Sequence, residues 1–151
     1  MMQLITSIII QAAETAVWQI LTDPQVTSTC MPGLVEWEIL EPARRFRIVV
    51  AWGESGNNGG GLRIPAIIEW TELIPPTQLC INIRLFLGNN TLDIAGTAQL
   101  QEIENGQTRL EISSSFDAPT PVMAQMVRNA LAKILKPFFH CLRNQAEQLS
   151  L

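Results

Sequence analysis

Residues 91–116 read TLDIAGTAQLQEIENGQTRLEISSSF, and this stretch decides the fold. Leu92, Ile94, Gly96, Ala98 and Leu100 alternate with Asp93, Ala95, Thr97 and Gln99. Period two of this kind marks a strand with one buried face. The run breaks at Glu104-Asn105-Gly106-Gln107 and resumes over Thr108–Phe116. Asn-Gly tolerates positive φ at both centres of a type I′ turn, so the two runs predict an antiparallel hairpin.

The same period extends upstream. It predicts strands over Leu34–Leu40, Phe46–Trp52, Leu62–Leu73 and Leu79–Leu87. The breaks at Glu41-Pro42-Ala43-Arg44, Gly53 to Gly61, Pro75-Pro76 and Gly88-Asn89-Asn90 are turn-forming. Short connections join antiparallel neighbours, not parallel strands. Met1 to Gln11, rich in β-branched residues, adds a seventh strand. Ala12 to Thr22 then switches to helical spacing, and Asp23-Pro24 supplies an N-cap and first-turn proline for a second short helix that Pro32-Gly33 ends. Thr120-Pro121 opens a last helix running to Leu149. Its apolar stripe holds Met123, Met126, Val127, Ala130, Leu131, Ile134, Phe138, Cys141 and Leu142, and Pro137 is expected to kink it. The fold class is therefore α+β: a curved seven-stranded antiparallel sheet wrapped around a long C-terminal helix, with two short helices between strands 1 and 2. Residues 1–151 are expected to form a single domain.

Composition excludes several classes. Hydrophobic residues make up 47% of the 151 and charged residues 16%, which excludes disorder. Fourteen acidic residues against ten basic ones give a net charge of -4, so general nucleic-acid affinity is not expected. No uninterrupted apolar run is long enough to span a membrane, and no anchoring tail after the last helix is expected. Cys30, Cys80 and Cys141 are odd in number and widely spaced, and are expected to be reduced thiols of a cytoplasmic protein.

Chemistry-bearing patterns are few. Gly53-Glu54-Ser55-Gly56-Asn57-Asn58-Gly59-Gly60-Gly61 lacks the Lys and following helix of a phosphate cradle; it reads as a mobile hairpin that could serve as a lid. His140 and Cys141 are adjacent, which points them about 100° apart on a helix, and there is no second His, so no metal is expected. A catalytic triad also fails for want of a base beside a Ser or Cys. Glu36, Glu38, Glu69, Arg84 and Asp93 alternate with apolar residues and are expected to face solvent, with Val35, Trp37 and Ile39 on the apolar side. Ser114 shares a face with Leu110, Ile112 and Phe116, a single hydroxyl in an apolar wall, either bonded to a neighbouring carbonyl or left to orient a ligand.

Ala16-Val17-Trp18, Leu21, Asp23-Pro24 and Met31-Pro32-Gly33, together with Glu72-Leu73-Ile74-Pro75-Pro76 and Gly96-Thr97-Ala98, carry a family resemblance. The chain resembles the START-like helix-grip superfamily (SRPBCC), which also holds the polyketide cyclase and birch-pollen-allergen groups. Within it the motifs look like those of the CoxG-like group, proteins associated with carbon monoxide dehydrogenase. The resemblance implies a cavity between sheet and C-terminal helix that binds a hydrophobic, lipid- or quinone-like molecule. It implies partnership with molybdenum hydroxylase subunits as an alternative, and a polyketide cyclase-like enzyme as a second. The chain departs from the CoxG-like group in lacking a membrane-tethering tail and in its longer loop after Trp52.

On this reading the small residues Ala66, Gly96 and Ala98 leave volume unfilled opposite Met123, Met126 and Ala130. The ligand-binding candidates are Trp52, Ile64, Ala66, Ile68, Trp70, Ile83, Leu85, Ile94, Gly96, Ala98 and Ser114 from the sheet. Met123, Met126, Val127, Ala130 and Ile134 join them from the helix. No catalytic residue, cofactor or nucleic-acid partner is expected.

Overall fold

A computed structural model describes residues 2–52, 62–104 and 106–149, without the side chains of Trp52 and Leu62. Strand β1 (Met2–Ile10) leads into helices α1 (Glu14–Leu21) and α2 (Pro24–Cys30). Six strands follow: β2 (Leu34–Glu41), β3 (Arg45–Trp52), β4 (Leu62–Ile74), β5 (Gln78–Leu87), β6 (Asn90–Glu104) and β7 (Gln107–Phe116). The last element is helix α3 (Pro121–Leu149), which runs through Pro137. The sheet order is β1-β7-β6-β5-β4-β3-β2, and each neighbouring pair is antiparallel. The Gly53 to Gly61 segment, read above as a hairpin and lid, lies outside the described residues, as does Asn105.

The caps form where the sequence places them. The Asp23 carboxylate accepts from the Gln25 backbone N–H at 3.0 Å with Pro24 in the first turn of α2, and Thr120 Oγ1 accepts from the Met123 N–H at 3.1 Å at the start of α3. Bulges at Leu34/Glu36, Ile39/Glu41, Trp70/Glu72 and Glu102/Glu104 put extra residues into their strands and help bend the sheet. The first of them corrects the expectation for β2. Leu34 and Trp37 turn inward and Ile39, opposite buried Phe46, keeps to their face although 50% exposed on this edge strand, whereas Val35 (41% exposed) is the extra residue of the bulge.

The concave face carries the core. Ile10, Phe46, Leu110 and Leu142 are sealed from solvent, and so is Thr108, whose hydroxyl donates to the Ala12 carbonyl at 2.8 Å and ties β7 to the turn before α1. Gly33 turns the chain from α2 into β2 at φ +76°; its carbonyl accepts from the Ala51 N–H at 2.7 Å, and a Cβ there would stand 2.9 Å from the Ala51 carbonyl oxygen. The left-handed conformation and this close approach both demand glycine.

Cys30 and Cys141 form a disulfide between α2 and α3, across a sequence separation of 111, and Cys80 is free. This corrects the expectation of three reduced thiols. The two helices pack side by side, a proximity that a separation of this length conceals.

Both contacts bear on stability. Gly33→Ala is expected to destabilise by ~1–3 kcal/mol in urea unfolding, the usual cost of a strained backbone position. Reducing the Cys30–Cys141 bond is expected to cost about 2–4 kcal/mol. Thiol titration of the unreduced, denatured protein should find Cys80 alone; a full complement of titratable thiols would contradict the pairing.

Candidate functional site

Helix α3 packs against α1, α2 and, among the strands, chiefly β1. Its well-buried residues, Val127 on one side and Phe139, Leu142 and Ala146 on the other, flank a stretch that stands off the middle of the sheet. The space beneath is a cavity of about 190 Å³. Leu131, Ile134, Leu135 and Phe138 reach it from the helix, at i, i+3, i+4 and i+7 on one face. Thr27 and Met31 reach it from the region of α2, one turn apart, and the sheet supplies the remaining walls.

Of the sheet candidates, Ile68, Trp70, Ile83, Leu85, Ile94, Gly96, Ala98 and Ser114 line the cavity. Ile64 and Ala66 are buried in the core but do not line it. The Trp52 side chain lies outside the described residues. Of the helix candidates, Ile134 lines the cavity; Met123 and Val127 belong to the packing beside it, and Ala130 is half-buried and does not line it. Met126 is corrected outright: it is 60% exposed, because it sits about 100° around the helix from buried Val127.

The lining residues that reading the sequence alone missed include Leu21, Thr27 and Met31, Leu131, Leu135 and Phe138 from the helix, and several neighbours on the sheet. The spacing of Leu131, Ile134 and Phe138 within the apolar stripe was a usable signal, but Leu135, at i+4 from Leu131, lay outside the stripe as read. Trp37 and Trp70 also line the space and bracket Phe46, whose ring centroid lies 5.2 and 5.1 Å from theirs. Burial and aromatic packing of this kind stiffen one wall.

The polar inventory is short: among the described residues, Thr27, Thr97 and Ser114 bring hydroxyls and Trp37 and Trp70 indoles to the lining, and no ionisable side chain does. Thr27 Oγ1 donates to the backbone carbonyls of Asp23 and Pro24 at 3.1 and 3.2 Å, and Thr97 Oγ1 contacts Cys80 Sγ at 3.8 Å. The Ser114 hydroxyl is buried (6% exposed) and has no hydrogen-bond partner among the described residues, so of the two readings its bond to a neighbouring carbonyl is not made.

The charged groups lie elsewhere, as expected. Arg84 donates to Asp93 through Nε at 2.8 Å and Nη2 at 3.1 Å, both side chains about half exposed on the convex face. The bond holds Asp93 below the usual carboxylate range and raises Arg84. Arg45 is raised in the same way by Glu69 and Glu41. His140 is exposed and its Nδ1 lies 2.7 Å from Arg143 Nη2. No cluster of three His, Cys, Asp or Glu placed to hold a metal occurs among the described residues.

A bent antiparallel sheet gripping a terminal helix over an apolar cavity defines a helix-grip protein of the START type. Residues 1–147 match the family described as polyketide cyclase / dehydrase and lipid transport, and the chain belongs to that family. Solved structures with the same fold include a conserved protein from Geobacillus kaustophilus, at 21% identity and TM-score 0.82 over 97% of this chain and 96% of that one. A START superfamily protein from Mycobacterium smegmatis is similar at 16% identity and TM-score 0.70, over 97% and 98% of the two chains. The Zhui aromatase/cyclase from Streptomyces sp. R1128 is similar at 16% identity and TM-score 0.71, over 97% and 94%. No curated protein matches the chain. No helix of the described residues is long and apolar enough to cross a membrane.

Because Asp93 points away from the cavity, Asp93→Asn is expected to leave ligand binding unchanged in a direct titration. Its pKa is depressed by folding, so the stability it adds is present above the ordinary aspartate range and is lost as pH falls through the lowered value. The Asn variant should therefore unfold with a shallower acid limb, and its effect at neutral pH should stay small because the pair is solvated.

Proposed function

We propose that residues 1–151 act as one binding unit that takes a hydrophobic small molecule, lipid- or quinone-like, into the cavity between the sheet and α3 without transforming it. The observation that carries this reading is the cavity of about 190 Å³ whose lining, among the described residues, includes no ionisable side chain. Transfer of an apolar surface from water into such a space contributes roughly 25 cal/mol per Å². Family membership supports it, since lipid transport is part of the family's description.

The volume favours the smaller ligands. A dry cavity of roughly 150 Å³ suffices for benzene, so about 190 Å³ suits one ring with a short substituent. That is nearer to a quinone head than to a long acyl chain, and well below the roughly 300–1,000 Å³ usual for larger ligands. A cyclase-type enzyme would want a general acid or base in the cleft; among the described residues the lining offers hydroxyls and indoles but no ionisable group, so binding is the better-supported reading. Membership of the CoxG-like group and a molybdenum hydroxylase partner rest on sequence motifs only, and no geometry of the site speaks for them. The cytoplasmic setting stays part of the proposal, and the Cys30–Cys141 bond is its test, since such bonds are rare in reducing compartments. Alkylation during lysis that traps both thiols would favour the cytoplasm, and an intact bond an oxidising compartment.

The binding reading is tested by filling the cavity. Ile134→Trp places an indole into the space from a half-buried position on α3. Titration of the wild-type protein with small aromatic probes is expected to show saturable binding, and the variant at least a tenfold loss with cooperative unfolding retained. Failure of the wild-type protein to bind any of a panel of single-ring and short-chain probes up to their solubility limits would sink the proposal.

A further inference from the structure

We propose that Ser114 is a specificity-determining anchor, and that the cavity selects neutral single-ring molecules carrying one hydrogen-bonding oxygen, such as alkylphenols or ring ketones. This rests on the binding reading above and names the ligand class of the same site. Ser114 lies on β7 opposite Leu4 of β1 and Gly96 of β6. Gly96 has no side chain to cover the hydroxyl, and both residues line the cavity. A Cβ at position 96 would come within 3.2 Å of Ile81 Cγ1, so glycine is what lets the Ile81 side chain lean in over this part of the wall.

A buried hydroxyl with no partner is a cost to the fold. No described side-chain nitrogen or oxygen is both sealed from contact and without a partner, so the Ser114 oxygen opens onto the cavity space and is not trapped in packing. The other two lining hydroxyls already have contacts, Thr27 with backbone carbonyls and Thr97 with Cys80. The Trp37 and Trp70 indoles on the same lining can only donate, so Ser114 is the lining hydroxyl left to meet a ligand, and it can both donate to a carbonyl and accept from a phenol. Charge is selected against, because burying a carboxylate without a counter-ion is far more costly than burying a neutral hydroxyl, and the lining holds no cation.

Three probes that share the ethylphenyl body separate the possibilities: 4-ethylphenol, ethylbenzene and 4-ethylbenzoate, titrated calorimetrically at neutral pH into wild-type and Ser114→Ala protein. The ratio of 4-ethylphenol to ethylbenzene affinity is expected to fall about three- to tenfold in Ser114→Ala, the size of one net hydrogen bond. Ethylbenzene itself should bind the variant as well as the wild type, and 4-ethylbenzoate should bind at least tenfold more weakly than 4-ethylphenol. The melting temperature of the free variant should match or exceed the wild type, since no protein partner loses a bond. An unchanged phenol-to-ethylbenzene ratio, or benzoate binding as tight as phenol, overturns the inference while leaving the carrier reading intact. A lowered melting temperature in Ser114→Ala also overturns it, by showing that the hydroxyl supports the fold. If no probe binds the wild-type protein, the carrier reading itself fails.

Discussion

The structure depends on how α3 is held. A protein interior packs to the density of an organic crystal unless something keeps its walls apart. Here Val127 seats one part of the helix, and Phe139, Leu142 and Ala146 seat another. The helices α1 and α2 and the edge strand β1 take the load between them. The turns from Leu131 to Phe138 therefore cross above the central strands without settling onto them. Beneath, Gly96 and Ala98 offer no side chain long enough to close the distance. The cavity is a consequence of where the helix is anchored, more than of which residues face it.

That dependence explains what the sequence disclosed and what it hid. Strands and helices are governed by local periodicity and caps, so the Asp23-Pro24 and Thr120-Pro121 starts appear in the structure as read. The inward rows on β4, β5 and β6 were equally legible, because period two leaves one choice of face once burial is assumed. The helix side of the site was not. An apolar stripe on α3 says which residues avoid water, but Met126 and Val127 both belong to it and the structure buries only Val127. Which edge of the stripe packs is set by α1, α2 and β1, a tertiary fact. The bulge at Leu34/Glu36 is similar: one inserted residue re-aims β2, and Val35 leaves the face that alternation had given it. The Cys30–Cys141 bond joins positions that only the folded arrangement of α2 beside α3 brings together.

Charge is divided as cleanly as apolar surface. Arg84 with Asp93, Arg45 with Glu41 and Glu69, and Arg47 with Glu36 all pair at solvent-exposed positions. Pairs of this kind contribute little to stability. Their placement matters more for what it leaves out of the concave side, where a single misplaced charge would need a partner that the lining lacks. Within that uncharged space, the Ser114 hydroxyl is the one lining hydroxyl without a partner among the described residues.

Helix α2 is the least self-sufficient wall of the cavity. It is seven residues long, too short to be stable alone, and carries Thr27, Ser28 and Thr29 in its body. Their hydroxyls bond back to the carbonyls of Asp23, Pro24 and Gln25, at distances of 2.8 to 3.2 Å, which satisfies the side chains but adds no helix propensity. What fixes this segment must then come from outside it. The Asp23 cap and the glycine turn at Gly33 hold its two ends, and the bond from Cys30 to Cys141 ties its last residue to α3. Since Thr27 and Met31 flank Cys30 on the lining, the same bond that joins the two helices also sets the width of the cavity between them.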